Sequence, residues 1–128
     1  MEQDLVDLLV AEHRRIESLF AEIETAGSPA ARRAALDAAV TVLAAHTATE
    51  ERLLHPHLPA ELAGYEAAEH RRIDDLMARL AEPNDVDPAF EVLLAALLEA
   101  VREHVQEEET ELFPRLPESV RVTEWPDG

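Results

Sequence analysis

Six side chains of metal-ligating type occur in this chain in one order, written twice: a lone histidine, then a histidine and a glutamate four residues apart. The pairs are His46/Glu50 and His104/Glu108. On a helix that spacing puts both side chains on one face, one turn apart. The lone histidines, His13 and His70, sit inside an identical motif, Ala-Glu-His-Arg-Arg-Ile, at Ala11–Ile16 and Ala68–Ile73. Each half closes on Pro-x-Leu-Pro, Pro56–Pro59 and Pro114–Pro117. The two copies are offset by 57 residues at the first histidine and by 58 at the pairs and the prolines, so one unit is written twice.

One half offers two nitrogens, His13 and His46, and one carboxylate, Glu50. Its copy offers His70, His104 and Glu108. Two cations about 3.5 Å apart, each held by two histidines and bridged by both glutamates, use all six groups. A bridging oxo or hydroxo group would make each ion five-coordinate and leave a sixth position for a small ligand. Imidazole and carboxylate without thiolate suit iron, manganese or zinc, and five- or six-coordination favours the first two. Iron is the expected metal, because an open carboxylate-bridged pair suits dioxygen and peroxide chemistry.

Those residues need elements that bring them together. Apolar positions recur at three- and four-residue steps in four segments, the signature of amphipathic helices. The spacing predicts helices over about 2–25, 30–54, 60–81 and 88–112. Gly27 is the expected C-terminal cap of the first, and Ser28-Pro29 suits the start of the second. Pro56 and Pro83-Asn84 are the expected stops of the second and third, Asp87-Pro88 the start of the fourth, and Pro114 its end. Nothing reads as a hairpin or a sheet. The expected fold is all-α, an up-down-up-down antiparallel four-helix bundle with an internal two-fold repeat. It fills a domain over 1–117 with a tail over 118–128, where Trp125 either folds back on the bundle or stands free.

The ligand-type residues fall on the apolar stripes. Helix one presents Leu9, His13, Ile16, Phe20 and Ile23, and helix two Leu36, Ala39, Leu43, His46, Glu50 and Leu53. Helix three presents His70, Ile73, Met77 and Leu80, and helix four Phe90, Leu94, Leu97, Val101, His104 and Glu108. A carboxylate in a core costs several kcal/mol unless paired or coordinated, so four imidazoles and two carboxylates on facing stripes need a shared partner. At a rise of about 1.5 Å per residue, His46 and His70 lie at matching heights from the Pro56 turn.

Composition narrows the alternatives. The 128 residues suit one domain with a real core. A formal net charge of −17 opposes nucleic acid and anionic membrane surfaces. There is no cysteine, which excludes disulfides, thiolate sites and thiol catalysis. No segment has the pattern of a signal peptide or a membrane span, so a cytoplasmic location is the expectation.

The order His, His-x-x-x-Glu, His, His-x-x-x-Glu on four helices resembles the hemerythrin-like HHE cation-binding domain, over about residues 5–117. The resemblance implies a non-haem di-iron protein with His13, His46, Glu50, His70, His104 and Glu108 as ligands. It also implies a small ligand: dioxygen, peroxide or nitric oxide. The chain departs from the oxygen-carrying members of that family at one place. Where they carry a second histidine one turn after the helix-three ligand, Asp74 stands, with Glu17 as its repeat mate on helix one. Two readings stay open for Asp74 and Glu17: extra oxygen ligands, or exposed ion pairs with Arg71 and Arg14. Ferritin-like bundles use Glu-x-x-His, a triplet that this sequence lacks.

His55 and His57 flank Pro56, and His55 matches Phe113 in the repeat, which favours packing or solvation over a second metal site. Tyr65 reads as a packing residue. Glu107, Glu109 and Glu111 read as a solvated face, and no dedicated proton donor is legible. The functional expectation is a di-iron protein that binds dioxygen or peroxide, with catalase-like peroxide breakdown as its enzymatic output. The alternative is a non-catalytic protein that senses or sequesters iron or oxygen.

Overall fold

The computed structural model describes residues 2–81, 88–117 and 122–124. Asp4 starts the first helix: its carboxylate accepts the Val6 N–H at 2.8 Å, satisfying one of the donors that a helix N-terminus leaves open. Helix α1 then runs Leu5–Thr25. It ends differently from the sequence expectation. Ala26 leaves the helix in an extended conformation (φ −59°, ψ 135°), and Gly27 is not in the left-handed region, so no glycine cap forms. Ser28 caps helix α2, Pro29–Leu53, by accepting the Ala31 N–H at 3.1 Å, with proline in the first turn. A 3-10 turn, His55–His57, leads into α3, Ala60–Leu80.

Helix α4 spans Pro88–Glu107 and passes directly into a π-helical turn, Glu108–Leu112. The fourth segment therefore reaches its expected end, but with a widened last turn that begins at a ligand-type residue; such turns are frequent at functional sites. The start of α4 at Asp87, the Pro83-Asn84 stop and Trp125 lie outside the described residues.

The four helices form the expected antiparallel bundle, with α1 packed on α2 and α3 on α4. One feature corrects the sequence reading. Strand β1, Glu2–Asp4, pairs antiparallel with β2, Val122–Glu124, so a short ladder ties the beginning of the domain to the tail. Three-residue strands carry too little alternation to be recognised. No helix among the described residues is long and apolar enough to cross a membrane.

The stripes pack nearly as read. Every stripe residue named above is buried except Leu53, which is half-buried, while its neighbour Leu54 is fully buried. The tightening into the 3-10 turn after Leu53 accounts for that one-residue change of face. The buried apolar residues separate into two clusters. The larger fills the bundle around Ile16, Phe20, Leu43, Ile73, Leu97 and Val101. The smaller closes the end where the Pro-x-Leu-Pro stops lie, from Leu5, Leu9, Leu54, Leu112, Phe113 and Leu116. The polar layer of histidines and glutamates interrupts this apolar interior.

Candidate metal centre

All six ligand-type side chains are buried, with Glu50 fully enclosed and His70 and Glu108 at 1% exposure. Their ligand atoms form two groups in which every atom lies within 4.8 Å of the others: His13, His46, Glu50 and Glu108, and Glu50, His70, His104 and Glu108. Both glutamates belong to both groups. Each turns one oxygen to each half. Glu50 Oε2 lies 3.4 Å from His46 Nε2 and Oε1 lies 3.0 Å from His70 Nε2. Glu108 Oε1 lies 3.1 Å from His13 Nε2 and Oε2 lies 3.2 Å from His104 Nε2.

The outer ring nitrogens explain why the inner ones face the centre. A carboxylate can only accept, so each Nδ1 bound to one must carry the hydrogen. His13 Nδ1 donates to Glu109 at 2.8 Å, His46 Nδ1 to Glu12 at 2.6 Å and His70 Nδ1 to Glu51 at 3.2 Å. In the neutral form of each ring this leaves the Nε2 lone pair facing the interior, the tautomer a metal-binding histidine needs. Rings are also stacked from outside: Phe113 on His13 (centroids 5.9 Å apart) and its repeat mate His55 on His70 (5.0 Å).

The chemistry of this donor set fits a cation. Glu50 Oε2, His104 Nε2 and both oxygens of Glu108 are buried without a hydrogen-bond partner among the described residues. Buried polar atoms left open are costly, and here they converge. Electrostatics agree. Burial opposes ionisation of Glu50, but the neighbouring His104, His46 and His70 hold its carboxyl well below the usual range. Burial and the charge of Glu50 push Glu108 up. Against the cost of burial, Glu12 and Glu50 raise His46 to about 10, and Glu108 and Glu50 raise His104 to about 11. His70 is raised as well, by Glu50 and Glu51 against burial, whereas burial and the neighbouring His46 lower His13. Two enclosed carboxylates thus draw protons to His46, His70 and His104, and a bound cation would displace those protons.

The two further candidates lie apart from the centre. Glu17 is exposed and accepts from the Arg102 guanidinium at 2.7 and 3.0 Å, a different arginine from the one its own helix suggested. Asp74 is exposed and joins neither group.

Five residues matter that the sequence reading passed over or read otherwise. Glu12, Glu51 and Glu109 orient the rings. Glu51 and Glu109 are repeat mates, and that correspondence was the available signal; Glu109 had read as part of a solvated face. Tyr65 is 49% exposed, not packed, and its hydroxyl donates to Glu107 at 2.8 Å.

The fifth is Glu66. It is 3% exposed, its Oε1 has no hydrogen-bond partner among the described residues, and its Oε2 faces His104 Nδ1 at 3.5 Å. Burial and the neighbouring Glu108 raise its carboxyl to about 9. Its repeat mate is Leu9, so the duplication gave no hint of it. The only signal was its place one turn before His70 on the same helix face.

Over residues 4–116 the chain matches the sequence profile of the hemerythrin HHE cation binding domain. It belongs to that family, as a hemerythrin-like, cation-binding four-helix bundle. No curated protein and no solved structure matches the chain.

Proposed function

We propose that this protein is a non-haem di-iron protein. His13 and His46 would hold one ion, His70 and His104 the other, and Glu50 and Glu108 would bridge them. The observation that carries the reading is the splitting of each carboxylate, one oxygen toward each pair of histidines. Four nitrogens and two shared carboxylates leave both ions short of six donors, which suits iron or manganese with an exchangeable small ligand better than zinc. The metal pair would supply redox chemistry toward dioxygen, peroxide or nitric oxide.

The chain's own part is to position and to exclude. Glu12, Glu51 and Glu109 fix the rings through their Nδ1 hydrogens. Leu9, Leu54, Phe113 and the larger cluster keep bulk water from the layer. Of the outputs open to such a centre, we favour catalase-like breakdown of peroxide. Elemental analysis with near-ultraviolet and visible spectra, oxidised and reduced, tests the centre: two irons per chain are expected, and a stoichiometric zinc content would overturn it. Oxygen evolution from peroxide by the iron-loaded protein then tests the output. A reversible spectral change under oxygen with no peroxide consumption would instead make the protein a binder or sensor.

A further inference from the structure

Two cavities reach the polar layer, one from each side. The smaller, about 290 Å³, touches His13 and carries Arg14 and Arg102 together with Glu17 and Glu109 on its walls. The larger, about 710 Å³, touches the bridging carboxylate Glu108 itself. Its walls carry Glu66, Glu107 and Glu111 besides Glu108, with Arg115 as the single arginine, and the Tyr65 hydroxyl bonded to Glu107. Leu62 forms part of its apolar side.

An acidic wall alone would be a solvated surface. Glu66 makes this one different. Almost wholly enclosed, it lines the cavity with one oxygen, Oε1, that has no hydrogen-bond partner among the described residues, while its Oε2 faces His104 Nδ1 at 3.5 Å. It lines the same cavity as the exposed Glu107 and Glu111 and the enclosed Glu108. The other half has no equivalent: the mate of Glu66 is Leu9, buried in apolar surroundings.

We propose that the larger cavity is the port through which a hydrated divalent cation reaches the centre, and that Glu66 is the carboxylate that passes it to Glu108. An ion with six waters occupies about 180 Å³ at roughly 30 Å³ per water, so both cavities are wide enough and charge decides between them. Glu107, Glu108 and Glu111 outweigh Arg115 and concentrate cations at the larger opening, whereas at the smaller Arg14 and Arg102 are offset by Glu17 and Glu109 and leave no such excess. Glu66 is positioned to replace waters on the ion one at a time with oxygen, the donor that hard cations accept. Its Oε1, without a hydrogen-bond partner among the described residues, is the oxygen that would turn to the ion. The port rests on the metal-centre reading.

Anaerobic stopped-flow loading with cobalt(II), followed by its visible absorption, tests the port and is independent of any activity. The unaltered protein is expected to take up two cobalt ions per chain; failure to do so would count against the centre itself. Given that baseline, Glu66→Gln should still bind two ions with the same final spectrum but load about tenfold more slowly, at the low end of the effect that focused charge has on association rates. Leu62→Trp, which narrows the cavity without touching a carboxylate, should slow loading as well. Loading at the unaltered rate in both variants would overturn the port. A Glu66→Gln protein that stops at one ion, or whose final spectrum shifts, would make Glu66 a resident ligand and overturn the transfer role.

Discussion

The two halves of the duplication use the same parts at the ligands and different parts one layer out. In both, a ring on α1 or α3 is held by a glutamate from the opposite helix pair, Glu109 for His13 and Glu51 for His70, and stacked by the residue before a proline, Phe113 or His55. The symmetry fails at the second histidine of each half. Glu12 grips His46 at 2.6 Å, but its mate Glu69 sits beside Tyr65, a hydroxyl whose pKa is raised by hydrogen bonding to Glu69 and Glu107. His104 is left facing Glu66 at 3.5 Å without a hydrogen bond. The lesson is that the six ligand-type side chains keep to the repeat while their surroundings differ, one half placing the apolar Leu9 where the other places Glu66 beside an acidic cavity.

The shared carboxylates are where that comparison breaks most completely. Glu50→Ala removes an oxygen from each half at once, so metal content should fall from two ions per chain to fewer than one by elemental analysis. A variant that keeps both ions would show that Glu50 does not bridge.

The bare and loaded proteins should next part company with pH. In the folded, metal-free chain His46 and His104 are raised from 6.5 to about 10 and 11, so the stabilisation from their protons is complete below pH 6.5 and drains as pH rises. Glu66 acts in the same direction, because the unfolded chain releases that proton from about 4.5 while the folded chain holds it to about 9. With chelator present, the melting temperature should drop between pH 6.5 and 9. The loss should be worth several kcal/mol, since each tenfold difference in proton affinity between folded and unfolded chain is worth about 1.4 kcal/mol. Metal-loaded protein should not follow it, since the cation replaces those protons. Parallel melting curves with and without metal would contradict this.

Glu12→Ala, which removes the acceptor for His46 Nδ1, sharpens the comparison from the other side. Loss of an outer hydrogen-bond partner typically weakens metal binding by about 10- to 100-fold, and the loss should fall on one ion of the two, leaving a biphasic titration where the unaltered protein gives a tighter curve. Glu66→Leu makes the halves alike. Removing an unsatisfied buried carboxyl should stabilise the metal-free fold by about 1–3 kcal/mol, read by chemical denaturation with chelator; destabilisation would mean that Glu66 has partners in solution. The smallest effects belong to the exposed candidates. Glu17→Ala should cost no more than about 1 kcal/mol, as surface ion pairs do, and Asp74→Ala should leave stability and spectrum unchanged. A change of spectrum with Asp74→Ala would restore it as a ligand.

What was legible in the sequence was whatever the helical period and the duplication both encode. Apolar steps of three and four residues define four helices, and the register of His13, His46, Glu50, His70, His104 and Glu108 within those steps puts them inside, because a helix commits residues one turn apart to one face. The repeat then pairs them. Three things needed the folded chain. The ladder between Glu2–Asp4 and Val122–Glu124 joins segments too short to show a period. The partners of exposed carboxylates are chosen across helices, so Glu17 meets Arg102, not Arg14, and Glu109 meets His13, not water. The mate of Glu66 in the repeat is an apolar residue, Leu9, and the enclosure of Glu66 depends on how α3 packs against α4. Linear order thus determined which side chains must meet in the interior. Packing between helices decided which glutamates would hold them there and which side of the layer would open to solvent, since spacing along one helix carries no information about the face of another.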